Sequence, residues 1–549
     1  MKGSLLLLLH AHLPYVRHPE YEYALEESWL YEALWETYLP LLDMLERQVE
    51  DGISPQLAFS LSPPLIEMLD DELLRIRFLR HLDNLIELAG TEKRRTRHTP
   101  FEPAAFLYAA RLKKMRRLYR DRYAGDIVAA FRKLQDEGHI EIVATSATHA
   151  FLPAYEHYPG AVRRQIAVGI GSYRRAFGRR PRGFWLPECG YFRGLDAYLK
   201  EAGIDYFFLE AHGVVHGRPR PRFSIYRPVT TPSGAVAFAR DTRAAQQVWC
   251  ASRGYPGDPW YRDFYRDIGF DLPSPLVEAF TGIGIPSFTG LKYHRITGAG
   301  ADKMPYDRCA AIGRAAEHAA HFVGERAADF GRLGAFSFSP VLFTAFDAEL
   351  FGHWWFEGVE WLDGVVRTAR ERALPFRLET PLALFRRRGG DNAPGDSPAV
   401  EPAPSSWGEG GYNAVWIGEQ NRTIYRHLHR MAERVERLIE RARRAPAVRQ
   451  QEGSVPRSGK ERTTALMDRA INQAVREALL AQASDWAFLM ERDRAAAYAA
   501  GRIAVHRERF DRIFSMICGN GIDASVLGRI EAADPLFPWL EVRDGTAGS

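Results

Sequence analysis

Eight short apolar runs, each ending in polar residues, constrain the fold of this chain more than any other feature. They cover residues 5–9, 56–61, 141–144, 183–186, 206–209, 236–239, 285–288 and 335–338. Runs such as LLLLL and DYFFL are continuous rather than alternating, which is how a strand buried on both faces reads. Helical stretches such as 29–50 and 160–177 lie between them. Strand, helix and strand in that order imply a parallel sheet, and this many units imply an α/β fold closed, or nearly closed, into a barrel.

Two regions depart from the repeat. Residues 63–138 are strongly helical and charged, as in DDELLRIRFLRHLDNLIEL, and read as a helical insertion on the barrel. Residues 389–406 have the Pro/Gly/Ser composition of a linker or long loop, and the chain beyond them is almost wholly helical. A second breaker, APAVRQQEGSVPRSGKER at 445–462, divides those helices. At 549 residues, two or three domains are expected.

Composition excludes several function classes. The net charge is +4, from 73 basic and 69 acidic residues, which does not call for a polyanionic partner. In the basic helix RHLHRMAERVERLIERARR the arginines alternate with Glu433, Glu436 and Glu440, the pattern of a solvated face rather than of a nucleic-acid site. Cys189, Cys250, Cys309 and Cys518 are scattered, which fits a reducing, cytoplasmic compartment better than a disulfide framework. His10 interrupts the apolar run of the N-terminus and no small-residue cleavage site follows, so MKGSLLLLLHAHLPY reads as a first strand and not as a signal peptide. No stretch reaches the roughly 20 apolar residues of a transmembrane helix.

The residues able to do chemistry cluster at the ends of these runs. His10 and His12 alternate on a strand and so share a face; they could ligate a metal, bond sugar hydroxyls or sit satisfied in the core. His149 lies just past another strand. In GFWLPECGY, Pro187 ends a strand and leaves Glu188 at its C-terminal end, where barrel enzymes carry catalytic groups. Cys189 beside it has no partner base in the sequence. Asp347 follows the run at 335–338, in a loop crowded with Phe343, Phe346, His353, Trp354 and Trp355. A carboxyl in apolar surroundings keeps its proton longer, which suits a general acid, and Glu349 competes with Asp347 for that role. Two acids on different strand ends, one ionised and one protonated, are what glycoside cleavage needs. The 12 Trp and 23 Tyr would supply flat faces for sugar rings, although core filling is their commoner use.

Taken together, HAHLPY, ATHAFLP, GFWLPECGY and FTAFDAELFGHWWFEG resemble the ordered motif blocks of glycoside hydrolase family 57. SSWGEGGYNAVW and LLAQASDWAF resemble the helical C-terminal region of its branching-enzyme group. The resemblance implies a distorted (β/α)7 TIM-like barrel over 1–390 with the insertion at 63–138, and a C-terminal α-helical domain over 407–549 that completes the glucan cleft. It places Glu188 on the family nucleophile and Asp347 on its acid/base, and His10, His12 and His149 among histidines lining the glucan site. Trp185, Arg262, His353, Trp407, Trp416 and Asp485 are the further substrate-binding candidates. It implies no metal and no cofactor, which turns the histidine pair toward sugar.

The implied activity is that of a monomeric cytoplasmic 1,4-α-glucan branching enzyme of glycogen biosynthesis. It would act on amylose and glycogen by double displacement with retention, the two carboxyls about 5–5.5 Å apart. An α-amylase or a 4-α-glucanotransferase on the same scaffold is the alternative. One departure bears on that choice. The branching enzymes carry a loop with a tip tyrosine between nucleophile and acid/base. Here residues 228–249, PVTTPSGAVAFARDTRAAQQVW, contain no tyrosine, and Tyr226 and Tyr255 flank them. Two other classes stay open: a zinc-dependent deacetylase or mannosidase, and a non-catalytic glucan-binding protein.

Overall fold

A computed structural model describes residues 2–542 other than 251–252, 299, 301, 337, 372, 388, 390–397, 445–458, 493–494 and 520, and only the backbone of 459–463. Part of the linker expected at 389–406 and most of the breaker at 445–462 lie outside the described residues. Nine strands are described: β1 (Gly3–Ala11), β2 (Leu57–Leu61), β3 (Ile140–Thr145), β4 (Gly183–Trp185), β5 (Tyr206–Leu209), β6 (Val229–Thr230), β7 (Val236–Ala239), β8 (Val341–Asp347) and β9 (Phe376–Leu378). The chain divides into two compact units. The first comprises Met1–Ser60, Met68–Ile142 and Arg240–Gly390, and the second Leu61–Glu67, Val143–Ala239 and Asp391–Ser549. The fold class is the expected one, α/β of the distorted (β/α)7 barrel type, with a helical insertion and a helical C-terminal region.

In the first unit β1 is buried along its whole length, as its unbroken leucine run requires. It pairs in parallel with β8 in a register that runs from Ser4↔Val341 to His10↔Asp347. Asp347 therefore ends a strand instead of sitting in a loop, and the run at 335–338 is not the strand. The helix Arg308–Leu333 finishes just before that run, and the ladder opens where Ser4 N donates to Pro340 O at 2.9 Å. Pro340 has no N–H to give, so the ladder proper begins with the next residues, VLFTAF.

The run at 285–288 also forms no strand. Just past it, the Asp267 carboxylate accepts the N–H groups of Thr289 (3.1 Å) and Gly290 (2.9 Å), which ties the end of the run to a loop. Phe288 then packs on Phe264 and Phe270 as an apolar loop.

Residues 63–138 hold the helices Pro63–Asp70, Glu72–Arg95, Glu102–Arg117 and Ile127–Asp136. Asp71 and Asp126 cap two of these helices by accepting the N–H of Leu74 (2.9 Å) and of Ala129 (2.8 Å). The helical stretch at 29–50 is not uniform. Residues Leu34–Tyr38 form a π turn between two α-helices.

In the second unit the strand order is β3-β4-β5-β7-β6, parallel except for β6 against β7. Helix Pro159–Phe177 packs closely on the end of β3. A Cβ on Gly169 would lie 2.0 Å from Thr145 O, so only glycine permits that approach. The basic helix Arg422–Arg444 buries Tyr425, Leu428, Ala432, Val435 and Ile439 at helical spacing, and its arginines belong to the opposite face. No helix among the described residues is long and apolar enough to cross a membrane.

Candidate active site

Glu188 stands at the end of β4 in a backbone conformation that acidic residues seldom adopt. Its φ and ψ are 61° and 19°, and Cys189 (φ 51°) and His149 (φ 53°) share the left-handed region. Each such residue costs on the order of 1–3 kcal/mol and persists only where its surroundings over-determine it. Here Trp185, Leu186 and Cys189 are wholly buried, and Cys189 N and Gly190 N close the turn onto Leu186 O and Pro187 O at 2.9 Å. Pro187 ends the ladder, and the strained turn swings the carboxylate out of the strand line.

Donors from the C-terminal region meet that carboxylate within the same unit. Tyr191 and Ser405 form an antiparallel bridge, which carries Trp407 to Glu188. Trp407 N then donates to Glu188 O at 2.9 Å, and Trp407 Nε1–H donates to Glu188 Oε2 at 2.7 Å. Ser484 Oγ–H donates to Oε1 at 3.2 Å, and His149 Nδ1 lies 2.9 Å from Ser484 Oγ and 3.7 Å from Oε1. Both oxygens are thus held by donors, which fixes the carboxylate in one orientation. Cys189 beside it is buried.

The other candidates of this unit surround it. Trp185 is buried between Phe208 and Trp407, at ring distances of 6.1 and 5.1 Å. Trp416 is buried too, stacked at 4.6 Å on Phe151, two residues from His149. Asp485 lies in the first turn of helix Ser484–Arg492, next to the serine that bonds Glu188. Ser484 carried no signal in the sequence, because one serine ahead of a helix reads as an ordinary cap.

Asp347 belongs to the first unit. The parallel register sets it beside His10 at the C-terminal end of the strands, and the rings of His10 and His12 stack there 5.8 Å apart. Burial, then the neighbouring His12, pushes His10 well below the usual histidine range, so it is neutral at pH 7 and able to both give and accept a hydrogen bond. Glu349, the rival acid in the sequence, is buried and accepts from Tyr38 Oη and, at 3.2 Å, from His12 N.

Further along the same loop, Gly352 adopts φ 105° and passes so close to the π turn that a Cβ would lie 1.9 Å from Glu36 O. That approach brings His353 Nδ1 to 2.5 Å from Glu36 Oε2. Arg262 is buried behind it, with Nη1 on Glu36 (3.2 Å) and Nη2 on His353 O (2.7 Å). Trp354, one of the aromatics noted beside Asp347 in the sequence, and Trp249, which was not, are 39% and 45% exposed and meet edge to face at 5.8 Å.

Metal chemistry has one candidate group among the described residues. Glu32, Glu36 and His353 offer ligand atoms within 4.8 Å of one another. Cationic side chains already face these carboxylates. Burial would raise Glu36, but Arg262, His353 and Lys292 hold it down at about 2, whereas burial and then Glu36 push Glu32 up to about 8. The group reads as an internal ion network that fixes His353.

Residues 6–268 match the family model of glycosyl hydrolase family 57, and residues 427–544 match that of the C-terminal domain of 1,4-alpha-glucan branching enzyme. A 1,4-alpha-glucan branching enzyme of Thermococcus kodakarensis is 31% identical over 98% of this chain and 78% of its own length. Among solved structures, the alpha-amylase AmyC of Thermotoga maritima is similar with a TM-score of 0.87 and 39% identity, over 100% of this chain and 99% of that one. The branching enzyme of Pyrococcus horikoshii, with a TM-score of 0.84 and 30% identity, is similar over 100% and 97%.

Proposed function

The chain belongs to glycosyl hydrolase family 57, and on that premise we propose that it is a 1,4-α-glucan branching enzyme with Glu188 as nucleophile and Asp347 as acid/base. The observation that carries branching is the branching-enzyme C-terminal domain at residues 427–544. The nucleophile assignment is supported by the strained turn that presents Glu188 and by the donors on both of its oxygens.

In the first step Glu188 attacks the anomeric carbon of an α-1,4-linked glucosyl unit, while protonated Asp347 gives its proton to the departing 4-oxygen. A covalent glycosyl–enzyme forms and the reducing-end fragment leaves. In the second step Asp347 removes the proton from a 6-hydroxyl of another glucan segment. That oxygen then displaces Glu188, and two inversions give an α-1,6 branch. His10, His12, His149, His353 and Asp485 bind sugar hydroxyls in this reading. Buried Arg262, Trp185 and Trp416 hold His353, Trp407 and the His149 segment in place. The scattered free cysteines support action in a reducing compartment, the cytoplasm; the reading is completed by a monomer that acts on glycogen-like glucan.

Incubation with amylose tests the reaction. Branching lowers iodine staining without a matching rise in reducing ends and yields short α-1,6-linked chains on enzymatic debranching. Equal loss of staining and gain of reducing ends, with no chains released by debranching, would make the protein an amylase. Two observations favour that second reading: the 39% identity to the Thermotoga maritima amylase, and the regular elements β7 and Thr242–Trp249 that occupy the tyrosine-free interval. Tyr255 is buried, its hydroxyl 2.8 Å from His321 Nδ1.

Trp407→Phe keeps the ring beside Trp185 and removes only the N–H on Glu188. A hydrogen bond to a charged acceptor is worth about 1.5–3 kcal/mol, so kcat is expected to fall about 10- to 100-fold. Steady-state kinetics on amylose checks this, with thermal melting as the control for folding.

A further inference from the structure

Residues two apart on an α-helix point well away from each other, yet Glu36 and Tyr38 both reach the loop that follows β8. They lie in the π turn Leu34–Tyr38 and meet that loop at two places four residues apart, His353 and Glu349. Turns of this kind concentrate at functional sites. Glu36 takes His353, and Tyr38 Oη donates to Glu349.

Glu349 is the knot of this arrangement. Its Oε1 accepts from the phenol of the π turn and from the His12 amide at the end of β1, while its own turn begins at Asp347. Three segments that must keep register for the reaction, those carrying Asp347, His10 with His12, and Tyr38, therefore meet on one buried carboxyl group.

We propose that Glu349, gripped by Tyr38 and the His12 amide, is a positioning residue. It fixes the turn that bears Asp347 against the histidine strand end, and it sets the field in which Asp347 keeps its proton. The inference rests on the reading of Asp347 as acid/base. The groups that face Glu349 are Tyr38 from the π turn and His12 from the end of β1; Asp347 stands two residues earlier in the same turn, and the Tyr38 phenol feels both acids. Burial pushes Glu349 up to about 7, against the opposing pull of Tyr38 and of His12. Glu349 is thus partly ionised at neutral pH, and its negative charge disfavours a second carboxylate two residues away.

The sign of the effect follows. An acid catalyst must be protonated, so kcat/KM falls as pH rises through the pKa of that acid. Removal of a neighbouring negative charge lowers this pKa and moves the alkaline limb to lower pH. The test uses Glu349→Gln and Tyr38→Phe in the full chain, with kcat and KM on amylose measured against pH. Glu349→Gln is expected to lower kcat about tenfold with KM nearly unchanged, and to move the alkaline limb down by about 0.5–1 unit. Tyr38→Phe keeps the buried ring, removes the donor that favours ionised Glu349, and moves the limb the same way by less.

A fall in kcat in both variants with the limb unmoved would reduce the pair to a structural brace and overturn the proposal, as would no change in either parameter. Asp347→Asn separates the two ideas. Full turnover of amylose by that variant refutes the acid/base reading itself. An inactive Asp347→Asn beside an unmoved limb in Glu349→Gln refutes only the positioning role.

Discussion

Glu188→Gln is expected to lower kcat on amylose by about 10⁴-fold or more while the protein still binds glucan. The amide is nearly the shape of the carboxylate, so the turn and its packing against Trp185 and Leu186 stay in place. What goes is the charge that attacks the anomeric carbon. One of its oxygens also becomes an NH2 group. Trp407 Nε1 can only donate and so keeps the amide oxygen, which turns the NH2 group to Ser484 and makes its hydroxyl change from donor to acceptor. The loss is therefore chemical first and positional second. A glycosyl fluoride donor with mass spectrometry reads it directly. With a 5-fluoro sugar, whose ring fluorine slows the second step, the wild-type chain accumulates a species heavier by one fluoroglycosyl unit, located on the peptide that contains Glu188, and the variant shows none. A labelled peptide elsewhere, or turnover near the wild-type rate, would remove Glu188 from the mechanism.

Asp347→Ala has a different expected signature. With amylose the departing sugar oxygen needs a proton, and loss of the general acid should lower kcat about 10²- to 10⁴-fold. A fluoride leaving group needs little protonation, so with that donor the first step should recover to within about tenfold of wild type. Deglycosylation stays slow because no base deprotonates the acceptor, and the intermediate builds up. Azide needs no deprotonation. It should rescue turnover and give the α-glycosyl azide, with configuration retained, because Glu188 has already inverted the centre once. Azide rescue with inversion would instead mark Asp347 as the nucleophile. No rescue, with equal losses on both donors, would point to a structural role.

Much of the fold was legible because it depends on local rules. LLLLL can only be buried on both faces, and the charged helical pattern of 63–138 shows without any partner. The two strands misplaced in the sequence were lost to long-range partners. Residues 285–288 are as apolar as a strand, but Asp267, about twenty residues earlier, takes the backbone donors that follow. Residues 335–338 and 341–346 are equally apolar, and the pairing with β1 selects the second. The π turn at Leu34–Tyr38 has no periodicity of its own and reads as plain helix.

From the sequence alone came the family's motif blocks, the two candidate acids and the strand end that carries Glu188. Residue type and order along the chain are enough for these. Only the tertiary structure decided that Trp407 and Ser484 hold the Glu188 carboxylate, that Glu188 sits in a left-handed turn, and that Glu349 is tied to Tyr38 and His12. The physical reason is the range of the interactions involved. Capping, strand burial and turn chemistry act over a few residues and leave a local pattern. The groups that orient each carboxylate come from segments hundreds of residues away, and become neighbours only once the chain has folded.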